Sequence, residues 1–588
     1  MVGAEARALV GFDMQHARAL RRSILLALSL LSGCAAANVS SRAAGGPDGR
    51  AAGGYQGTSG EYLSGRFAAT QNDMGYAADQ FLKALAADPS NETLSQQAFI
   101  ATLLVGRPEA LRLARQQPNN PAAQLLLGDT AAANGNWDAA ESRFASLPRQ
   151  GLTQVLQPLV VAWAQQGAGN TDAALATLQP YVEGQRLRAI YALHAALIAD
   201  LGNRPAQAAK LYSTARSEFG GTNLQLARML ASWQARQGHP TEAQDTIRAL
   251  IDASPDLAIA APALEARVGQ REVKRATDGI AEAYLALAAA LHAQDANDFA
   301  IVLLRLALDL RPDFTAARLL YADIGDGRKH PEAALRILAP VAADDPLIAV
   351  VRLRRAALTE QMGNTEDALS MLDQIGHDYP MRPEPLVMKG DILRGKRRFA
   401  DAVTAYDAAI ARVPTPKRGD WALFYDRAIA LERAHMWPRA EADFQKALEL
   451  SPDEPYVLNY LGYSWTEQGR NLTKARQMIE RAVEQRPNDG SIVDSLGWLL
   501  LRQGDVSGAV QQLERAVELD PTDAAVNGHL GDAYWAAGRK LEAQFQWRRA
   551  LTLNPEPDDA ARIEAKLHGP GGEPIAAKAP ATAEKTTQ

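Results

Sequence analysis

The chain has 588 residues, 47% of them hydrophobic and 22% charged, and a formal net charge of -6 from 62 basic and 68 acidic side chains. That composition suits a folded globular chain, and charge spread without long runs of one sign excludes the electrostatic footprint of a nucleic-acid binder. A single cysteine, Cys34, excludes an intrachain disulfide and a zinc site built from thiolates, so stability must come from packing.

At the N-terminus, Arg21 and Arg22 precede an apolar run from Ile24 to Leu31 that ends in Ser32, Gly33 and Cys34. A charged start, a short apolar middle and small residues at the end suit a secretory signal over residues 1–33, and the run is too short to anchor a helix across a bilayer. Leu31-Ser32-Gly33-Cys34 resembles a bacterial lipobox. That resemblance implies cleavage before Cys34, lipid on its thiol, and acyl chains in place of a membrane helix. A plain cleaved signal and a cytosolic helix with a buried cysteine are the alternatives, and the Arg21-Arg22 pair also fits twin-arginine export. Glu5 and Asp13 suit a signal poorly, so initiation at Met14 is a further reading. Residues 34–57 are rich in Ala, Gly and Ser and read as a flexible tether spanning roughly 25 to 30 Å.

The body carries a period. Pro312, Pro346, Pro380 and Pro414 are spaced 34 residues apart, and Pro452, Pro487, Pro521 and Pro555 follow at 38, 35, 34 and 34. Proline stops a helix and disfavours helix at the preceding residue, so each unit folds between two such stops. Inside the units small and large residues recur: Leu530-Gly531 is followed by Tyr534, Gly538, Ala543, Trp547 and Ala550, and Leu496-Gly497 by Gly504, Ala509, Leu513 and Ala516. This spacing resembles the tetratricopeptide repeat. The resemblance implies an all-α, right-handed superhelical solenoid of antiparallel helix pairs, some fourteen of them. It assigns Gly390 and Gly462 to the small position where two helices cross, and Phe81, Phe144, Tyr406, Phe444 and Trp547 to the large one.

On that basis residues 58–257 form a divergent N-terminal repeat block, 258–280 an insertion or divergent helix, and 281–557 a C-terminal repeat block. Residues 558–568 form a helix that caps the last apolar face, and 569–588 a disordered tail. No catalytic motif stands out. The run from Gly390 to Arg397 is a near match to a phosphate loop, but it lacks the closing Ser or Thr and Gly390 already has a structural role. The nine histidines include no pair at metal-ligand spacing, so neither an enzyme, a metal nor a cofactor is expected, and a hydrolase hidden in the divergent first half is the minor alternative.

What remains is surface. In the repeat family the inner groove is lined by the first helix of each pair, which on this chain assigns to it Tyr425, Tyr456, Asn459, Tyr463, Asp494, Trp498, Asp532 and Trp535. Aromatic rings with neighbouring carboxylates suit the grip of a peptide, although each ring is equally explained by packing on the next repeat. Leu458-Asn459-Tyr460-Leu461-Gly462-Tyr463, Asp494-Ser495-Leu496-Gly497-Trp498, His529-Leu530-Gly531 and Arg548-Arg549-Ala550-Leu551 are similar to a family of envelope lipoproteins of Gram-negative bacteria. One member of that family is an adaptor that brings substrates to a carboxy-terminal processing protease in the periplasm. The resemblance implies a lipid-anchored adaptor on the periplasmic face of the outer membrane, with protein or peptide partners and no nucleic acid. A structural part in envelope assembly or secretion is the alternative.

Overall fold

A computed structural model describes residues 58–184, 187–221, 223–327 and 330–568. The expected signal at 1–33, Cys34 with its lipid, the tether at 34–57 and the tail at 569–588 lie outside the described residues. Within them are thirty α-helices and two short 3-10 turns, and no strand. Twenty-eight of the helices form fourteen antiparallel pairs; seven of the eight periodic prolines fall two or three residues past the second helix of a pair, and Pro346 falls two residues before the first helix of the next.

Local chemistry explains the boundaries. Asp73, Asn91, Asn120, Asn136, Asp489, Asp505 and Asp523 cap helix N-termini by accepting from free backbone N–H groups. Pro121, Pro205, Pro240, Pro331 and Pro455 occupy a first-turn position, where the missing N–H has no intrahelical partner to lose. The turn inside a pair needs one left-handed residue, supplied in the last two pairs by Gly504 (φ 87°) and Gly538 (φ 77°).

The pairs are held by a wedge. Phe81, Phe144, Tyr406, Phe444 and Trp547 are all buried to 1% exposure or less. In four of these pairs the ring points at a glycine of the partner helix. A Cβ on Gly65, Gly128, Gly390 or Gly531 would lie 2.8, 2.3, 2.5 or 2.4 Å from Phe81, Phe144, Tyr406 or Trp547. The small position is therefore small because it receives the large one, rather than only because two backbones cross. Gly390 sits mid-helix in Glu384–Gly395, so the near phosphate-loop match is a packing feature.

The chain divides into two compact units, one running to Tyr379 and the other starting at Pro380. The segment 258–280 lies inside the first unit. It forms a 3-10 turn (Pro255–Ala260), a short helix (Ala261–Arg267) and a link to the helix Ala276–His292, which starts four residues before the expected end of the insertion. That helix is buried along almost its whole length, as suits a largely apolar segment whose Asp278 and Glu282 find partners. It packs against Gly151–Gly167, Arg188–Leu201 and Pro121–Ala133, helices of much earlier pairs, and so fills the inside of its unit. Gly279 faces the indole of the fully buried Trp163, whose Nε1 donates to His194 Nδ1 at 3.1 Å. Burial drives the His194 pKa down to about 3, so the ring stays neutral and can accept. Tyr284 donates its hydroxyl to Asp129 Oδ1 at 2.8 Å, and Glu282 is met by Arg311 at 3.1 Å and by Gln225 at 2.8 Å. Much of the first unit's interior is thus occupied by its own chain, and the residues expected to line the groove all belong to the second.

Candidate ligand groove of the second unit

Five pairs make the second unit: 384–411, 421–450, 455–485, 490–519 and 524–552, followed by the helix Pro557–His568. The first helices Pro455–Glu467, Gly490–Gln503 and Ala524–Ala536 touch side by side, so residues one helical turn apart on each line a continuous face.

The structure brings together Tyr463, Asp494 and Trp498, and adds a residue that sequence reasoning missed. His529 stacks on the Trp498 ring at 4.3 Å between centroids, lies 6.4 Å from the Tyr463 ring, and places Nδ1 2.9 and 3.0 Å from the two Asp494 oxygens. Burial lowers the His529 pKa, but the Asp494 carboxylate more than offsets this and the net shift is upward. Trp498 Nε1 donates to Glu467 at 2.5 Å. The Tyr463 phenol is pushed up by burial and by Glu467 and Asp494. A buried acid, an imidazole and two rings on three adjacent helices form an amphipathic patch suited to holding another chain.

The other expected residues make contacts outside this cluster. Tyr425 is a packing ring among Trp421, Phe444 and Tyr460, with centroids 5.9 to 6.0 Å apart, and burial pushes its phenol up to about 12. Tyr456 is 40% exposed under the guanidinium of Arg486. Asn459 is half-buried, and its Oδ1 has no protein partner. Trp535 packs 5.4 Å from Trp547 with the Lys540 ammonium 5.1 Å from its ring. Asp532 is already engaged, accepting from Trp547 Nε1 at 2.9 Å and from Lys566 Nζ at 2.6 and 2.7 Å.

Lys566 belongs to the terminal helix, which does more than cap. Ile563 is its one buried residue, joins the cluster of Leu530, Tyr534 and Trp547, and contributes about 1.5–3 kcal/mol by burial. Ahead of the helix, the Glu556 carboxylate meets Arg397 of the first pair at 2.6 Å and Arg433 of the second at 3.4 Å. Arg562 pairs with Asp559; burial lowers its pKa, but Asp559, Glu467 and the Tyr463 phenol together hold it raised. The segment therefore runs past the first, second, third and fifth pairs, beside Tyr463. One signal for it was readable, since Lys566 follows Asp532 by one 34-residue period. Glu556 carried none, because its partners lie 159 and 123 residues back.

At the other end of the unit, Asp391 and Asp426 share a site with Arg394, which reaches Asp426 at 3.2 Å, while Tyr406 donates to Asp391 at 2.6 Å. Burial, then repulsion from Asp391, raise Asp426 to about 7 against the opposing pull of Arg394. An unfolded aspartate titrates near 3.9, so between roughly pH 4 and 7 the folded chain holds a proton that the unfolded chain has lost. Stability of the second unit is therefore expected to fall as pH rises through that window. Asp426→Asn removes most of the slope, checked by melting temperatures at pH 5 and 8; an unchanged slope would show that Asp426 is not its source. Among the described residues no group of three or more His, Cys, Asp or Glu side chains is arranged to hold a metal ion.

Comparison with known proteins gives three matching family profiles: Tetratricopeptide repeat-like domain over residues 281–420, Tetratricopeptide repeat over 105–151, 387–455 and 425–490, and TPR repeat over 497–538. The chain is 26% identical over 159 residues to a TPR repeat-containing protein of Pseudomonas aeruginosa, which covers 27% of this chain and 26% of that protein. It is 26% identical over 184 residues to Tetratricopeptide repeat protein 13 of Homo sapiens, covering 30% of this chain and 20% of that one. The chain thus spans about a quarter of the first relative and a fifth of the second. Among solved structures it is similar to the Cut9-Hcn1 hetero-tetramer of the APC/C (14% identity, 87% of this chain and 96% of that one, TM-score 0.36). It is also similar to YrrB, a TPR protein with an unusual peptide-binding site (19% identity, 33% and 97%, TM-score 0.25).

Proposed function

Because the chain is built from tetratricopeptide repeats, modules that bind protein and peptide partners, we propose that it is a non-catalytic scaffold whose second unit recognises another protein. The observation that carries this reading is the patch of Tyr463, Asp494, Trp498 and His529, where two rings and a buried carboxylate–imidazole hydrogen bond meet on adjacent first helices. Aromatic anchors of this kind dominate interface energetics, while buried polar groups set register and reject mismatched partners.

The proposal extends to place. The signal-like run ending in Leu31-Ser32-Gly33-Cys34 supports a protein held by lipid in a bacterial envelope, and no described helix is long and apolar enough to cross a membrane. The motifs around Tyr463, Trp498 and His529 support an adaptor that delivers substrates to a carboxy-terminal processing protease.

Purification of the full chain from detergent-solubilised membranes is expected to recover envelope proteins, the protease among them, that a folded Trp498→Ala protein does not. An identical set from both proteins would remove the groove from the function. A mature mass that retains Leu31, Ser32 and Gly33 would remove the lipid anchor.

A further inference from the structure

The two units treat their interiors differently. In the first, the helix Ala276–His292 is buried on every face and belongs to the core. In the second, the helix Pro557–His568 has Ile563 as its one buried residue and is otherwise held by charge. The Arg397–Glu556 and Arg433–Glu556 contacts are half exposed, so water and salt weaken them. Lys566 on Asp532 is the one sheltered ion pair. A helix of 12 residues does not persist alone in water, so this one exists because the groove templates it.

Its contacts also have an order. A carboxylate comes first (Glu556), seated between two guanidinium groups; seven residues later an aliphatic anchor (Ile563) enters the cluster of Leu530 and Trp547; ten residues later an ammonium (Lys566) reaches Asp532. Glu556 lies just ahead of the helix, and Ile563 and Lys566 stand three residues apart on one face of it, so the three contacts are made along one side of the segment. Between them, Asp559 and Arg562 act electrostatically on Tyr463, at the edge of the patch assigned to partners.

We propose that the helix Pro557–His568 is a displaceable internal occupant of the second unit's groove, and that the external ligand is a short amphipathic helix with the same charge order: acid, aliphatic anchor, base. This rests on the scaffold reading above and deepens it by naming the ligand class as helical rather than extended. A partner must then outcompete the chain's own segment, and its apparent affinity is reduced by the fraction of molecules in which that segment is seated. The reciprocal also holds: anything that lifts the terminal helix raises affinity for the partner.

The test uses the full chain and a fluorescent synthetic peptide spanning residues 554–568 of this protein, read by anisotropy. Wild type is expected to bind the peptide weakly, and Ile563→Asp with Lys566→Glu to bind it at least tenfold more tightly. Should that variant fail to fold, Glu556→Lys with Lys566→Glu decides, since it leaves the apolar contact in place; at least a threefold gain is expected. A peptide carrying Glu556→Lys should lose most of its affinity for either released protein. Absence of binding by a released variant whose circular dichroism and melting match wild type would overturn the proposal and leave the helix a cap. So would equal binding by wild type and released proteins. Because the probe is the chain's own sequence, these outcomes are independent of whether any envelope partner is recovered, and the two readings fail separately.

Discussion

Trp547→Ala is expected to lower the stability of the second unit by about 3–5 kcal/mol, the range for truncating a large buried aromatic side chain. The indole is completely buried in the last helix pair, fitted against Gly531, where a Cβ would come within 2.4 Å of it. Its loss opens a cavity between two helices and also removes the donor on Asp532 Oδ1. That carboxylate is then left to Lys566 alone, so the last pair and the terminal helix should loosen together. Urea unfolding followed by a probe in the second unit measures the loss, and hydrogen exchange over residues 557–568 should rise with it. A loss below about 1 kcal/mol would mean that the surrounding helices close over the gap and that the indole is not the wedge.

The second large effect lies in the first unit. Tyr284→Ala is expected to cost about 3–5 kcal/mol, because the ring is fully buried in a helix packed on all sides. Tyr284→Phe separates the hydrogen bond from the packing. It keeps the ring but leaves Asp129, whose Oδ2 already lacks a partner, with no donor on Oδ1 either. A buried polar group stripped of its partner costs about 1–3 kcal/mol, whereas replacing both partners by apolar groups is often close to neutral. Tyr284→Phe combined with Asp129→Leu should therefore be more stable than Tyr284→Phe alone. Burial raises the Asp129 pKa well above the usual carboxylate range, so the single variant should lose most at high pH, where ionisation of an unpartnered buried carboxyl is costliest. Equal stability of the single and double variants would show that the unpartnered Asp129 carboxyl costs nothing.

Repeat chemistry is written locally, and that is why so much of the fold could be read. Each proline stop, each Asn or Asp cap and the glycines that face Phe81, Phe144, Tyr406 and Trp547 lie within one 34-residue unit, and composition and spacing expose them directly. What crosses units is not written that way. The run from Ala276 to His292 is largely apolar, a property of buried helices, yet its partners at Asp129 and Trp163 follow no period. The groove was legible in part for a similar reason. Family positions put Tyr463, Asp494 and Trp498 on one face, where the structure has them. They also put Tyr425 there, where neighbouring rings from Phe444 and Tyr460 claim it for packing. His529 was quoted for the family resemblance but not assigned to the groove, although it stands one turn before Asp532, because a lone histidine carries no such signal until its carboxylate, 35 residues back, is beside it.

The bond between Tyr284 and Asp129 joins positions 155 residues apart, and it changes what kind of object the first unit is. An ordinary repeat array couples only nearest neighbours, can begin folding anywhere, and accepts gain or loss of a module with a proportionate change in stability. A stack threaded by one of its own later helices has no such freedom: removing any module between those two residues would shift the register of every contact the threading helix makes. Evolution by duplication or deletion is thereby closed to this stretch. Its assembly includes closure of a long loop, which slows folding.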